Sequence, residues 1–327
     1  MNQRLCFLTY LARSGSTLLA SELDQYKSIG VTLEENLPDG IKKGKPVKIK
    51  DSKALEDYLE EIYRDKKFQA WDIDKSRLKE AILGSYPFPL RYGDILNVIH
   101  YVYFAGNMPE MVIHKQGNYC LLIEKVRKEF PDALFLFIDR DPRAIHSSQN
   151  KSINSISEKF MNAGIVRFAL TYKRMQEIIR RKGNDAFFYT INYEDLIKYP
   201  DQELKKILDF FQIKSAGKNT SKSYFSRIPV RQKHLHQNVP ENYNSFGITR
   251  WKEELEDHRI AFLQTVLRRE LLNKGLEFFS MDKLSLKHKG IVFYWLLKYH
   301  FLYILLRMSN WNYFSLKRGA FRKFGYG

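Results

Sequence analysis

The chain has 327 residues, 44% of them hydrophobic, enough to bury a large core and far too apolar for a disordered polymer. Its 54 Lys and Arg outnumber 37 Asp and Glu, for a formal net charge of +17, which implies anionic partners: nucleotides, acidic glycans, membrane surfaces or nucleic acid. Two cysteines, Cys6 and Cys120, exclude a disulfide framework and fit a reducing compartment.

Met1-Asn2-Gln3-Arg4 runs straight into an apolar segment without a signal-peptide pattern, which reads as a cytoplasmic protein. Leu5 to Tyr10 is a short apolar run that stops at a Gly-containing turn, as a buried parallel strand should. Thr17 to Tyr26 carries a helical stripe at Leu18, Leu19 and Leu23, and Ile29 to Leu33 reads as a second strand. Helices are expected over 52–66, 74–83, 91–104 and 119–129, with a strand at Met111 to His114. Ala133 to Ile138 is the strongest strand signal. A helix from about 142, another over 164–182, a strand at Ala186 to Asn192 and a helix over 201–213 follow. Strands alternating with helices predict an α/β fold, a parallel sheet covered on both faces.

Residues 214–249 lack a regular pattern and are rich in Ser, Lys, Asn and His, a linker or a functional loop. Residues 252–274 read as one long helix. From about 284 the composition changes. Ile291 to Arg307 is apolar and aromatic, and Trp311, Phe314, Lys317, Arg318, Arg322 and Lys323 follow. The apolar run is long enough to tempt a membrane-spanning assignment, but Lys298 and His300 near its middle argue against one. Aromatics interleaved with cations suit a helix lying in the membrane interface, and a buried C-terminal helix is the alternative. The domain reading is therefore 1–280 as the α/β domain and 281–327 as an amphipathic tail.

Two segments carry the chemistry of anion binding. The strand at 5–10 leads through Arg13-Ser14-Gly15-Ser16-Thr17 into a helix. Helix N-termini there offer free N–H groups, Gly15 allows close approach, Ser14, Ser16 and Thr17 add hydroxyls, and Arg13 adds a fork-shaped charge. It is not a Walker A loop, since Gly-x-x-x-x-Gly-Lys-Ser/Thr is absent. The strand at 133–138 leads into Asp139-Arg140-Asp141-Pro142-Arg143-Ala144-Ile145-His146-Ser147-Ser148, with Pro142 a natural first helical residue. Arg140, Arg143 and Ser148 make a second candidate anion site.

Together these segments resemble the sulfotransferases that use 3′-phosphoadenosine-5′-phosphosulfate (PAPS). Arg13 to Leu18 resembles that family's 5′-phosphosulfate loop, and Arg140 to Ser148 its 3′-phosphate motif. Tyr193-Glu-Asp-Leu196 resembles the segment whose Tyr approaches the adenine, and Arg250-Trp251-Lys-Glu-Glu-Leu255 the Trp-containing block that closes the core. The motifs come in family order from residue 4 to about 275. The resemblance implies a P-loop-like three-layer sandwich, with Arg13, Ser14, Gly15, Ser16, Thr17, Arg140, Ser148, Tyr193, Arg250 and Trp251 binding the nucleotide. It further implies in-line sulfuryl transfer to an acceptor hydroxyl, release of adenosine 3′,5′-bisphosphate, and no metal requirement.

For the proton acceptor the resemblance points to Glu34 or Glu35, as in the Glu-using tyrosylprotein, glycan and lipid branch, with Glu34 favoured. Burial beside the nucleotide is expected to raise the pKa of that base. His114 is the rival, in a His-Lys-Gln order that departs from the Lys-Thr-His of the His-using branch. Lys115 is expected at the bridging oxygen. His146 reads as structural, and Arg231, Lys233, His234 and His236 as candidates for covering the nucleotide. The acceptor is a glycan, a lipid or another alcohol, lipid-linked if the tail meets an anionic membrane from the cytoplasmic side. A P-loop kinase and a basic nucleic-acid-binding protein are the rival classes. The missing Walker Lys opposes the first, and the absence of any nucleic-acid-binding motif opposes the second.

Overall fold

Strand β1 (Arg4–Tyr10) is buried from Leu5 to Thr9, the mark of a strand covered on both faces. In the computed structural model the elements then follow as α1 (Ser16–Asp24), β2 (Ile29–Val31), β3 (Lys48–Ile49), α2 (Ser52–Tyr63), α3 (Lys75–Ser85), β4 (Leu90–Arg91), α4 (Tyr92–Tyr103), β5 (Met111–Lys115) and α5 (Ile123–Glu129). Next come β6 (Leu134–Asp139), α6 (Pro142–Lys151), α7 (Ile165–Lys182), β7 (Phe188–Asn192), α8 (Tyr193–Lys198), α9 (Pro200–Phe210), α10 (Tyr224–Arg227) and α11 (Val230–Lys233). The last are α12 (Phe246–Thr249), α13 (Trp251–Glu254), α14 (Asp257–Val266), α15 (Arg268–Asn273) and α16 (Leu286–Met308). The structure describes residues 4–35, 37, 41, 47–153, 161–162, 164–214, 217–218, 224–233, 246–280 and 284–308, with the backbone alone at 118, 231, 232 and 246.

The chain divides into two units. The first, drawn from 1–140, 153–159 and 181–245, holds the sheet. Its five strands run in the order β2-β5-β1-β6-β7, every pairing parallel, with helices flanking the sheet. Phe7, at the centre of β1, is fully buried and packs edge-on against Tyr119 at 5.2 Å and Phe130 at 5.3 Å.

Most predicted elements lie within a few residues of those observed, and the departures have local causes. β2 ends at Val31; the Thr32 N–H still bonds Ile113 O at 2.9 Å, and beyond it the chain leaves the sheet and carries Glu34 and Glu35 in coil. The antiparallel pair β3 and β4 was not expected, since two residues are too short for a periodic signal. The 214–249 stretch carries α10, α11 and α12 among its described residues, while His234 and His236 lie outside them.

The second unit, drawn from 141–152, 160–180 and 246–327, is helical. The long helix expected over 252–274 is three pieces, α13, α14 and α15. Leu255 breaks the first at φ −99° and ψ 128° and buries its side chain, and Leu267 breaks the second at φ −110° and ψ 20°. Apolar spacing does not register such a break, because buried residues continue on either side of it. Asp141 caps α6 by accepting from the Arg143 N–H at 2.8 Å, with Pro142 opening the helix.

Arg143 corrects the sequence reading. Its guanidinium is fully buried, donates to Asp141 at 2.8 and 3.0 Å and to Gln264 Oε1 at 3.0 Å, and lies 4.1 Å over the Trp251 ring. It is a core ion pair, not half of an anion site, because its donors are spent inside its own unit. His146 is buried, and burial with the Arg259 charge pushes its pKa down to about 3, so it is a neutral packing residue. Phe7→Ala is expected to cost about 3–5 kcal/mol of stability, read from urea unfolding, by opening a cavity at the sheet centre.

Candidate active site

Four neighbouring strands, β2, β5, β1 and β6, deliver their carboxyl ends to one edge of the sheet. At or just beyond those ends stand Glu34, Lys115, Arg13 and Arg140 in the same order. The chain leaves β1 through α1 toward β2 on one side, and leaves β6 toward β7 on the other. Such a parting of connections opens a crevice at the strand ends where ligands bind.

The loop after β1 turns on two positive φ angles, 77° at Arg13 and 94° at Gly15. Gly15 is the N-cap of α1, and among the described residues no side-chain cap bonds the first-turn N–H groups, an arrangement that suits an anion. Ser14 Oγ is buried without a hydrogen-bond partner among the described residues, a polar atom placed to bond a ligand oxygen. A Cβ at position 15 would meet the Tyr193 ring at 2.3 Å, so only glycine lets the loop pass under that ring. The Arg140 guanidinium lies 4.3 Å from the same ring and donates from Nη1 to the Arg13 carbonyl at 3.0 Å. Tyr193 and Arg140 therefore shape the loop itself. Arg140 belongs to the first unit, and Ser148, Arg250 and Trp251 to the second. There Arg250 Nε pairs with Glu254 at 2.7 Å, while Trp251 is buried with Phe279 at 5.4 Å.

The two carboxylates point different ways. Glu34 lies on the wall of a cleft that it shares with Thr17, Leu33, Lys67, Lys115 and Tyr224. Lys115 Nζ donates to Glu34 Oε1 at 2.6 Å and Lys67 Nζ to Oε2 at 2.9 Å, and the Tyr10 hydroxyl donates to Oε1. Lys115 Nζ also reaches Thr17 Oγ1 at 3.4 Å, so one ammonium touches both the carboxylate and the first turn of α1.

Burial would raise the Glu34 pKa, but the Lys115 and Lys67 charges outweigh it and hold the carboxyl well below the usual range. This reverses the rise expected from burial alone, because no motif places Lys67 beside Glu34. Lys115 is pushed down by burial and by the Lys67 and Arg13 charges, against the upward pull of Glu34.

Glu35 is buried, turned inward rather than to the cleft. Its Oε1 meets His114 Nε2 at 3.0 Å and accepts from Gln116 Nε2 at 3.0 Å, and its Oε2 accepts from the Leu37 N–H. His114 Nδ1 continues to His100 Nε2 at 3.1 Å, and burial holds His100 neutral, its pKa well below the ordinary value. His114 is fully buried in this chain of contacts.

Sequence reasoning missed Lys67, Tyr10, Tyr224 and Arg227. Tyr10, the last residue of β1, was legible as a neighbour of the loop, whereas Lys67 follows α2 without any motif. Tyr224 is buried on the cleft wall, and Arg227 anchors its short helix by pairing with Asp24 at 2.6 Å and donating to the Val31 carbonyl at 3.0 Å. Nothing in the 214–249 sequence announced this, because the partners lie about two hundred residues upstream.

A five-stranded parallel sheet flanked by helices, with a helix-opening loop at its switch point, defines the chain as an α/β protein of the open-sheet class. Residues 6–216 match the model of the Sulfotransferase family, and the chain belongs to that family. No curated protein matches it by sequence. Among solved structures it resembles the sulfotransferase domain of the curacin biosynthetic pathway, at 14% identity and TM-score 0.54 over 85% of this chain and 99% of that one. It also resembles the sulfotransferase domain of the Synechococcus PCC 7002 olefin synthase, at 15% identity and TM-score 0.54 over 85% and 96%. These likenesses carry the fold.

Two outcomes test the site's construction. Gly15→Ala should destabilise by about 1–3 kcal/mol in urea, and the penalty should shrink in a Tyr193→Ala background that removes the clashing ring. Because the native Glu34 carboxyl is depressed, its contribution is full above the unfolded-state value of about 4.3 and lost as pH falls through the native one. The stability gap between wild type and Glu34→Gln should therefore be widest near neutral pH and close in acid, measured by urea unfolding across pH.

Proposed function

We propose that the chain transfers a sulfuryl group in line from PAPS to an acceptor hydroxyl in the Glu34 cleft, releasing adenosine 3′,5′-bisphosphate. The observation that carries this reading is the single ammonium of Lys115, within 2.6 Å of Glu34 and 3.4 Å of Thr17. Base, cation and phosphate-loop helix meet at that point. Family membership and the matched fold support the same chemistry.

In the proposed step Glu34 takes the acceptor proton as the acceptor oxygen bonds to sulfur. The sulfur–oxygen bond to the 5′-phosphate breaks, and the electron pair leaves on that phosphate. The first-turn N–H groups of α1, Ser14 Oγ, Arg13 and Lys115 would stabilise the charge gathering there. Glu34 is ionised at neutral pH and so already in the form a base requires. Its proton affinity is low while both lysines hold it, and rises as Lys115 turns to the leaving phosphate. Glu35 and His114 would position Glu34 from beneath.

Arg140 and Ser148 are proposed for the 3′-phosphate, and Tyr193, Arg250 and Trp251 for the rest of the nucleotide, on the strength of their motifs. The buried free thiols Cys6 and Cys120 support a reducing, cytoplasmic setting. The acceptor is proposed only as a hydroxyl compound, a glycan or lipid among the candidates.

Adenosine 3′,5′-bisphosphate should raise the melting temperature while ATP with Mg²⁺ has little effect; the reverse result would assign a kinase. Arg13→Ala and Arg140→Ala should each lower PAPS-dependent transfer by roughly 10²-fold or more. Glu34→Gln should lose turnover by roughly 10²–10⁴-fold yet keep bisphosphate binding. If Glu35→Gln alone shows that pattern, the base is Glu35. A screen of hydroxyl acceptors with labelled PAPS would identify the substrate.

A further inference from the structure

Helix α16 presents two unlike faces. Tyr299, Leu302 and Leu306 are buried, and the inner face meets α14 through ring contacts of Trp295 with His258 at 5.4 Å and of Tyr299 with Phe262 at 6.1 Å. At roughly 100° per residue, Leu286, Phe293, Leu297, Phe301, Ile304 and Met308 fall on the opposite face. All six are exposed, Phe293, Phe301 and Ile304 by 62%, 53% and 58%. An aromatic and aliphatic stripe of this length standing in water has a partner to meet.

Its margins name that partner's charge. The same projection places Lys289, His300 and Arg307 along one border and Lys287 and Lys298 along the other. From Lys283 to Gly327 the sequence holds nine Lys or Arg and no Asp or Glu. We infer that the outer face of α16 docks on an anionic phospholipid surface, lying in the plane of the interface. Phe293, Leu297, Phe301 and Ile304 enter the acyl boundary, and the bordering cations meet headgroup phosphates.

Other occupants fit less well. The helix is 23 residues long, and an 18-residue stretch of it has mean hydropathy 1.3, enough to cross a bilayer by length. Crossing would strip its inner face from α14 and draw Lys298 into hydrocarbon. A second copy would bring two cation-bordered stripes together, setting like charges along both seams. An anionic surface satisfies the stripe and both borders at once. The inference stands on α16 and α14 alone, so it can fail while the sulfotransferase reading holds.

The test is sedimentation of the full-length protein with vesicles of mixed phosphatidylglycerol and phosphatidylcholine, beside phosphatidylcholine vesicles, at moderate salt. Preferential binding to the anionic vesicles is expected. Phe301→Glu should weaken it by roughly tenfold or more, with the melting temperature and its rise with adenosine 3′,5′-bisphosphate unchanged. The paired border change Lys289→Glu with Arg307→Glu should also weaken it, and stands in if Phe301→Glu fails to fold. Absence of binding, equal binding to both vesicle types, or binding indifferent to these substitutions overturns the inference. A dimer that Phe301→Glu dissolves, without vesicle binding, assigns the face to a second copy and overturns it as well.

Discussion

The ion pair between Glu34 and Lys115 is the constraint about which the rest of the site is arranged. A carboxylate partly removed from water is stabilised by neighbouring cations, and two lysines from separate segments supply them here. That pairing fixes the end of β5 against the coil that follows β2. It also brings the Lys115 ammonium to the first turn of α1, just past the loop that follows β1. Local charge balance thereby ties Glu34 on the cleft wall to the N-terminus of α1. A rearrangement of either partner changes the proton affinity of the other.

Beneath this pair lies a second, inward-facing polar layer of Glu35, His114, His100 and Gln116. Each member is buried and hydrogen-bonded, as burial of polar groups demands. Adjacent residues thus divide two tasks: Glu34 faces the cleft and Glu35 holds the coil to β5. On the other side of β1, the Tyr193 ring and the Arg140 guanidinium pack on the loop from β7 and β6. Gly15 is required at that crossing on two counts, its φ of 94° and the ring above it.

Much of the fold was legible because its signals are local. Leu5 to Tyr10 and Ala133 to Ile138 are apolar runs that only a doubly covered strand would bury, and Pro142 after Asp141 marks a helix start. Arg13 to Thr17 carries its anion chemistry in consecutive residues. The environment of each charge was not legible. Arg143 looks like Arg140 in sequence, yet its donors are spent on Asp141 and Gln264 in the core. The pKa of Glu34 was misjudged for a related reason. Burial can be foreseen from position, but Lys67 reaches the carboxylate only through the return of the chain after α2.

The sequence by itself determined the alternation of strands and helices, the two loops that follow β1 and β6, and the family to which the chain belongs. It did so because periodicity, turn residues and helix-start residues act over a few positions. Only the tertiary structure decided which carboxylate faces the cleft, which arginine packs on the loop after β1 and which is sealed in the core, and which face of α16 is left exposed. Those outcomes depend on partners tens to hundreds of residues apart, and on desolvation and charge, which act through space and not along the chain.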